Sequence, residues 1–342
     1  MWRITVLGSV NVVESVRLDE DDRRLLHALQ LDGRASFARI ATVLGMSERA
    51  VSRRYHRLRS RLALRVVGVT RHDQRAQEDW FLRIAAPPAS VDAVARMLAV
   101  RADTSWIASL AGSGGLSCIL RTPVPTGDGG NALEQFRRGA NVGTVTAQRL
   151  LAPVAGVGGW PGRLQALTAS EREALASTAP ERHARSASSA GAPRSDGDER
   201  LLGLLAADGR TSVARLAGAS DIPESTVRRR IGELVNRGVL MFEVEVDPKL
   251  YGRHIDVLCW LDVQPAALRA VANGLSSHSE VAFASTTTGT SNVLAFLEFA
   301  ATEELYEYLA DRVGALPGVH RVQTELVSRW VKRAGPLLIP RT

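Results

Sequence analysis

The chain has 342 residues, more than one hydrophobic core usually organises, so two or more domains are expected. Hydrophobic residues make up 45% and charged residues 23%, as in globular proteins, and no apolar run nears the roughly 18 residues that span a bilayer, so no membrane partner is expected. The net charge of +7 favours a polyanionic partner. Every basic residue except Lys249 and Lys332 is arginine, as genome base composition alone also produces. Cys118 and Cys259 sit in apolar runs without partner motifs, and the seven histidines are scattered. Neither a disulfide, a metal site, a cofactor nor a catalytic constellation is expected.

In chain order, residues 1–18 form an N-terminal extension. Met1 to Val16 lacks the basic start, continuous apolar stretch and small-residue cleavage site of a secretory signal, so a cytoplasmic location is expected. Residues 19–65 read as a helix-turn-helix. Asp19 to Asp22 place acidic groups at a helix N-terminus, and Leu25, Leu26 and Leu29 follow at helical spacing. Asp32-Gly33 ends that helix. Ser36 caps a second helix that buries Phe37, Ile40 and Ala41; Gly45 makes the turn, and Ser47 caps a third helix through Leu58. On that third helix Val51, Tyr55 and Leu58 face the core, which turns Glu48, Arg49, Ser52, Arg53 and His56 outward.

Over residues 66–155 the period changes. Strands are expected near Trp80 to Ala85, Ser105 to Leu110, Leu116 to Arg121 and Val142 to Leu151. Residues 156–197, rich in Ala, Ser, Arg and Glu from Ala166 onward and lacking sustained apolar periodicity after Leu175, read as a flexible linker.

The chain then repeats itself. Asp32-Gly33-Arg34 recurs as Asp208-Gly209-Arg210, an offset of 176, and about 19 of 43 positions match without a gap from Asp22/Asp198 to Leu64/Leu240. Residues 198–245 are therefore a second helix-turn-helix. Pro223 pre-sets its third helix, Val227, Ile231 and Leu234 face inward, and Glu224, Ser225, Arg228 and Arg229 face out. A recognition helix reads the major groove with its N-terminal half, where arginine forks onto guanine O6 and N7. Arginine clusters on a short helix are equally what a solvated face looks like, and winged helical modules also mediate protein contacts.

In residues 246–333 the order is strand Ile255 to Val263, helix Pro265 to Leu275, strands Val281 to Thr287 and Val293 to Phe299, helix Thr302 to Leu316, and strand Val319 to Trp330. This βαββαβ order matches a ferredoxin-like motif, with helices on one face of an antiparallel sheet. Residues 334–342 form a tail. The expected fold class is α+β: two tandem (winged) helix-turn-helix modules, each followed by a ferredoxin-like sensor domain. The bare sheet faces, apolar at Val257 to Leu261 and Val293 to Leu297, call for cover from further chains, so a homodimer or homotetramer of pseudo-dimeric chains is expected.

This arrangement resembles the leucine-responsive regulator/AsnC family over almost the whole chain, twice. Arg237-Gly238-Val239-Leu240 and Pro248-Lys249-Leu250-Tyr251-Gly252 resemble the family's linker between DNA-binding and sensor domains, and Leu316-Pro317-Gly318-Val319 with Val322 its approach to the last strand. The resemblance implies a regulator that binds double-stranded DNA and responds to an amino acid or another small metabolite held where sensor domains meet between dimers. Where the family usually has Gly-x-Tyr-Asp, this chain has Gly289-Thr290-Ser291-Asn292, and Gly112-Ser113-Gly114-Gly115 in the first copy.

Gly289 exposes backbone N–H groups suited to a carboxylate, and Thr288, Thr290, Ser291 and Asn292 complete the candidate effector site with polar partners for an ammonium or polar tail. A turn also needs glycine and small polar residues for its own geometry. The first turn lacks side chains that orient a ligand, so the first sensor is expected to be structural. Two other readings stand beside this one: an architectural DNA-binding protein without a ligand, and an enzyme resembling the tetrapyrrole decarboxylases of this architecture, which needs histidine and arginine pairs lining the sheet.

Overall fold

The computed structural model describes residues 18–61, 64–70, 77–124, 133, 134, 136, 143–155, 166–176 and 196–334. Residues 1–17 of the expected extension, most of the linker, Val142 and nearly all of the tail lie outside them.

Three helices open the chain: α1 (Glu20–Leu31), α2 (Phe37–Leu44) and α3 (Glu48–Ser60). Each start is set by a side chain that satisfies an orphan helical N–H. Asp19 and Asp22 form a reciprocal capping box, Ser36 accepts from Arg39 N, and Ser47 accepts from Ala50 N. Gly45, at φ +67°, ends α2 in the left-handed region that favours glycine. Leu25, Leu26, Leu29, Ile40, Leu44, Val51, Tyr55 and Leu58 close the core between them.

The second trio follows the same plan: α6 (Asp196–Ala207), α7 (Val213–Ser220) and α8 (Glu224–Asn236), with Leu201, Leu205, Leu216, Val227 and Leu234 buried. Asp221 stands where the first copy has Gly45 and adopts the same left-handed conformation, φ +56°.

Part of the stretch read as a flexible linker is ordered. Helix α5 (Ala169–Ala176) docks on the first trio with Leu167 and Leu175 buried in its core. Arg24 pairs with Glu171 at 2.5 Å, and the Arg39 guanidinium donates to the α5 carbonyls of Ala174 and Leu175 at 2.7 and 2.8 Å.

Each trio leads into a strand, β1 (Leu64–Thr70) and β6 (Leu240–Val246), and these pair antiparallel with each other in a two-stranded sheet instead of folding back as a wing. Val67 lies opposite Glu243, its own counterpart in the repeat, so a local pseudo-two-fold axis passes between them.

The remaining strands are β2 (Gln77–Ile84), β3 (Thr104–Leu110), β4 (Leu116–Pro123) and β5 (Val145–Ala155) in the first copy. The second copy supplies β7 (Ile255–Val263), β8 (Val281–Thr287), β9 (Val293–Phe299) and β10 (Val319–Lys332). They run β5-β2-β4-β3 and β10-β7-β9-β8, and the pairings of β5 with β8 and of β10 with β3 close all eight into one barrel.

Helix α4 (Val91–Val100) covers the outside of the first half, and α9 (Leu268–Ser277) with α10 (Thr302–Glu307) the second. Inside, Phe81, Leu110, Ile119, Leu258, Trp260, Leu294 and Phe296 fill the lumen. This corrects the expectation that the bare sheet faces need another chain. Val257, Cys259 and Leu261 point out beneath the helices, Leu258 and Trp260 point in, and the first copy covers the second.

Among the described residues no helix is long and apolar enough to cross a membrane.

Candidate DNA-reading helices and sensor turns

On α3 the side chains of Glu48, Arg49, Arg53 and His56 are exposed, Ser52 is half-buried, and Val51, Tyr55 and Leu58 are buried. The other arginines of this helix are spoken for. Arg54 binds Asp19, Asp21 and Asp22 at 2.6, 2.8 and 2.9 Å, Arg57 pairs with Asp22, and Arg59 reaches Asp208 of the second copy at 2.6 Å. Arg49 and Arg53 have no ion-pair partner among the described residues.

On α8 Glu224, Ser225, Arg228 and Arg229 are likewise exposed. Here the arginines are answered on their own helix: Arg228 pairs with Glu224 at 3.1 Å and Arg229 with Glu233 at 2.5 Å. Glu233 stands where the first copy has Arg57, so α3 carries five arginines and one glutamate while α8 carries three arginines and two glutamates. The two heads share a geometry and differ in charge.

Two residues that the sequence marked only as part of the repeat hold the heads together. Arg34 donates to Gly209 O and Thr211 O at 2.6 and 3.2 Å, and Arg210 donates to Gly33 O and Ala35 O at 2.8 and 2.9 Å. The exchange is reciprocal about the same pseudo-two-fold. Arg210 also stacks over Phe37 and Arg34 over Phe242, at 4.7 and 5.4 Å from the ring centroids. Gly33 permits the approach, since a Cβ there meets Phe242 Cβ at 2.9 Å. The self-similar Asp-Gly-Arg signal was visible; that its arginine crosses to the other copy was not.

The turn Thr288–Asn292 lies against β5 of the first copy. Thr288 N donates to Arg149 O at 3.0 Å, and Thr288 Oγ1 accepts from Arg149 N at 2.9 Å. Gln148 Nε2 donates to Thr288 O and Ser291 O at 3.2 and 3.1 Å, and its Oε1 accepts from Trp260 Nε1 at 3.1 Å. Gly289 takes φ +107°. Asn292 is engaged on both sides of its amide, accepting from Val263 N at 2.9 Å and donating to Val263 O at 2.6 Å. Of the five candidate effector residues, Thr288 and Asn292 thus spend polar side-chain atoms on the fold, while Gly289 and Thr290 are exposed and Ser291 half-buried.

The matching turn Ala111–Gly115 lies against β10. Ser113 N donates to Glu325 Oε1 at 2.8 Å, and Glu325 Oε2 accepts from Arg83 at 2.8 Å.

The comparisons with known proteins fit this geometry. Residues 18–59 match the AsnC-type helix-turn-helix domain, residues 196–241 a winged helix-turn-helix DNA-binding domain, and residues 256–337 the Lrp/AsnC ligand binding domain. An uncharacterized HTH-type transcriptional regulator of Pyrococcus furiosus is 31% identical over 137 residues, 39% of this chain and 93% of the relative. The HTH-type transcriptional regulator FL11 of Pyrococcus horikoshii is 26% identical over 148 residues, 43% of this chain and 97% of the relative. Each relative therefore corresponds to about one copy of the repeat. Among solved structures, the siroheme decarboxylase NirDL superposes over 92% of this chain and 93% of its own with a TM-score of 0.60 at 12% identity, a likeness of fold.

Two helix-turn-helix domains and an Lrp/AsnC ligand binding domain in one chain make it a DNA-binding transcriptional regulator. The chain belongs to the Lrp/AsnC family.

Proposed function

We propose that this chain is a two-headed operator reader in one polypeptide, gated by a small carboxylate-bearing effector, an amino acid or similar metabolite, at the seam between β5 and the turn Thr288–Asn292. The observation that carries the reading is the pair of exposed helix faces on α3 and α8, locked to one another by β1–β6 pairing and the Arg34/Arg210 exchange. Arg49, Arg53 and His56 with Glu48 and Ser52, and Arg228 and Arg229 with Glu224 and Ser225, are the proposed base- and phosphate-contacting residues. Such a reader works in the cytoplasm.

The domain division that fits is 19–65 and 198–245 for the heads, and 66–155 and 246–333 for the sensors. The strand orders β5-β2-β4-β3 and β10-β7-β9-β8 support reading each sensor as a ferredoxin-like unit, two of which fuse into the barrel.

The test is a gel-shift series on genomic operator fragments recovered by immunoprecipitation of the protein. Arg49→Ala/Arg53→Ala is expected to weaken specific binding by about 1–3 kcal/mol per lost base contact. Unchanged binding assigns the reading to another surface.

A second reading is enzymatic, favoured by the whole-chain likeness to the siroheme decarboxylase. Inside the barrel the buried cluster is Phe, Leu, Ile and Trp, and the charged pair beside it, Arg83 with Glu325 at 2.8 Å, is stacked on Trp260 and committed to the turn at Ser113, a poor set for acid–base work on a tetrapyrrole. An absorption shift on titrating the protein with an iron tetrapyrrole supports the enzyme; an unchanged spectrum supports the regulator.

A further inference from the structure

The two sensor turns differ in what answers their backbone. Ser113 and Thr290 are counterparts at an offset of 177, as are Glu325 and Gln148, which stand beside them on β10 and β5. At the first turn the Glu325 side chain is only 6% exposed, and its two oxygens are divided between Ser113 N–H at 2.8 Å and the Arg83 guanidinium at 2.8 Å. Arg83 in turn lies 4.4 Å from the Trp260 ring centroid, a stacked and charge-neutralised arrangement. At the second turn the neutral Gln148 presents its Nε2 to the carbonyls of Thr288 and Ser291. It accepts nothing from Thr290 N, which has no hydrogen-bond acceptor among the described residues.

From this contrast we infer that Glu325 is a built-in carboxylate ligand of the first sensor turn, so that each chain offers one open carboxylate site, at Gly289–Ser291, instead of two. The inference deepens the effector reading given above and rests on it for the second turn. The chemistry is that of a charge-assisted hydrogen bond from a turn N–H to a carboxylate. In the first copy the protein's own side chain supplies that carboxylate, with a cation behind it. In the second it is left to a soluble acid. Gln148 is the residue that keeps the second site open, because an amide satisfies the turn's carbonyls without entering its N–H groups.

The experiment uses the full-length chain and sodium acetate as probe, titrated against sodium chloride at matched ionic strength and read by the backbone amide resonances of Ser113 and Thr290. In Glu325→Ala the Ser113 amide is expected to move away from its wild-type position and return on adding acetate. Acetate should bind there at least about tenfold more tightly than in wild type, one charge-assisted hydrogen bond being worth that much. Glu325→Ala with an unmoved Ser113 amide, or with no gain in acetate binding, overturns the assignment.

If Glu325→Ala does not fold, Gln148→Glu makes the reverse test. The Thr290 amide should then shift without any added ligand, and an unmoved Thr290 amide overturns the inference. Calorimetry with the twenty common amino acids, each tested singly, should give one equivalent per wild-type chain. Two equal sites per wild-type chain overturn the inference. Binding of none of them sinks the effector reading alone, because the acetate arm still decides the role of Glu325.

Discussion

The side-chain amide of Asn292 acts as an extra rung on β7, bonded through both of its ends to the backbone of Val263. Removing it strands a carbonyl and an N–H at a strand end, so Asn292→Ala is expected to lower stability by about 1–3 kcal/mol in urea denaturation. Asn292→Asp sets a carboxylate oxygen against Val263 O and should cost at least as much. Full wild-type stability in Asn292→Ala would show that the Val263 bonds of its amide are not needed to hold the turn. The sequence showed a polar residue after a glycine turn, which is as much as local chemistry carries, because the group that claims the amide lies 29 residues away. Arg210 hides in the same way. Its partners Gly33 and Ala35 are 177 and 175 residues distant. Arg210→Ala removes two charged hydrogen bonds and is expected to cost about 3 kcal/mol by the same measurement, whereas Arg49→Ala, on an exposed face, should stay within about 0.5 kcal/mol.

The elements were the most legible level, since hydrophobic period and caps act over a few residues. The strands Ile255–Val263, Val281–Thr287 and Val293–Phe299 fall where alternation and turn residues place them. Helix α5 escaped because eight residues with Ala, Ser and Glu carry little amphipathic signal, and its order comes from docking on α1 and α2. That docking has a pH consequence. His27, 3% exposed, accepts from Ala166 N at 3.2 Å, and burial, with Arg172 of α5 adding to it, holds its pKa down to about 4. The unfolded imidazole takes a proton near 6.5 and the folded one does not, so the unfolded state binds more protons between those values. Stability from this group is complete above about pH 6.5 and falls by about 1.4 kcal/mol per pH unit toward pH 4. Thermal melts between pH 7 and 5 should show the decline, and His27→Gln should flatten it; an unchanged slope would put the acid sensitivity elsewhere. The two candidate reading helices offer a second comparison. Because Arg228 and Arg229 are paired within α8 while Arg49 and Arg53 have no ion-pair partner among the described residues, Arg49→Ala/Arg53→Ala should reduce both operator affinity and its salt dependence more than Arg228→Ala/Arg229→Ala. Equal losses in parallel gel shifts would show that DNA displaces the glutamates at no cost.

At the scale of the whole molecule, the repeat was readable as duplication, but not its closure, because pairing of β5 with β8 and of β10 with β3 depends on edges that no local pattern describes. Closure changes the argument about assembly. An open four-stranded sheet presents two edges and a bare face, and both are grounds for joining a second chain; here each edge is paired and the faces meet around Phe81, Trp260 and Phe296. The heads are joined twice more, through β1–β6 and the Arg34/Arg210 exchange, so one polypeptide already carries two helix-turn-helix heads related by a pseudo-two-fold. A single chain of 36.9 kDa is therefore expected to occupy both half-sites of an operator. Their centres should lie about 10–10.5 bp or whole turns apart, since both heads must meet the major groove on one face of the duplex. The palindrome should be imperfect, because Arg49 and Ser52 of α3 stand opposite Ser225 and Arg228 of α8, and different side chains at equivalent positions read different bases. Light scattering of the protein alone and bound to a short duplex carrying both half-sites measures this directly. A protein mass near one chain, with one chain per duplex, is the expected result, and a requirement for two chains per duplex would mean that each polypeptide reads only one half-site.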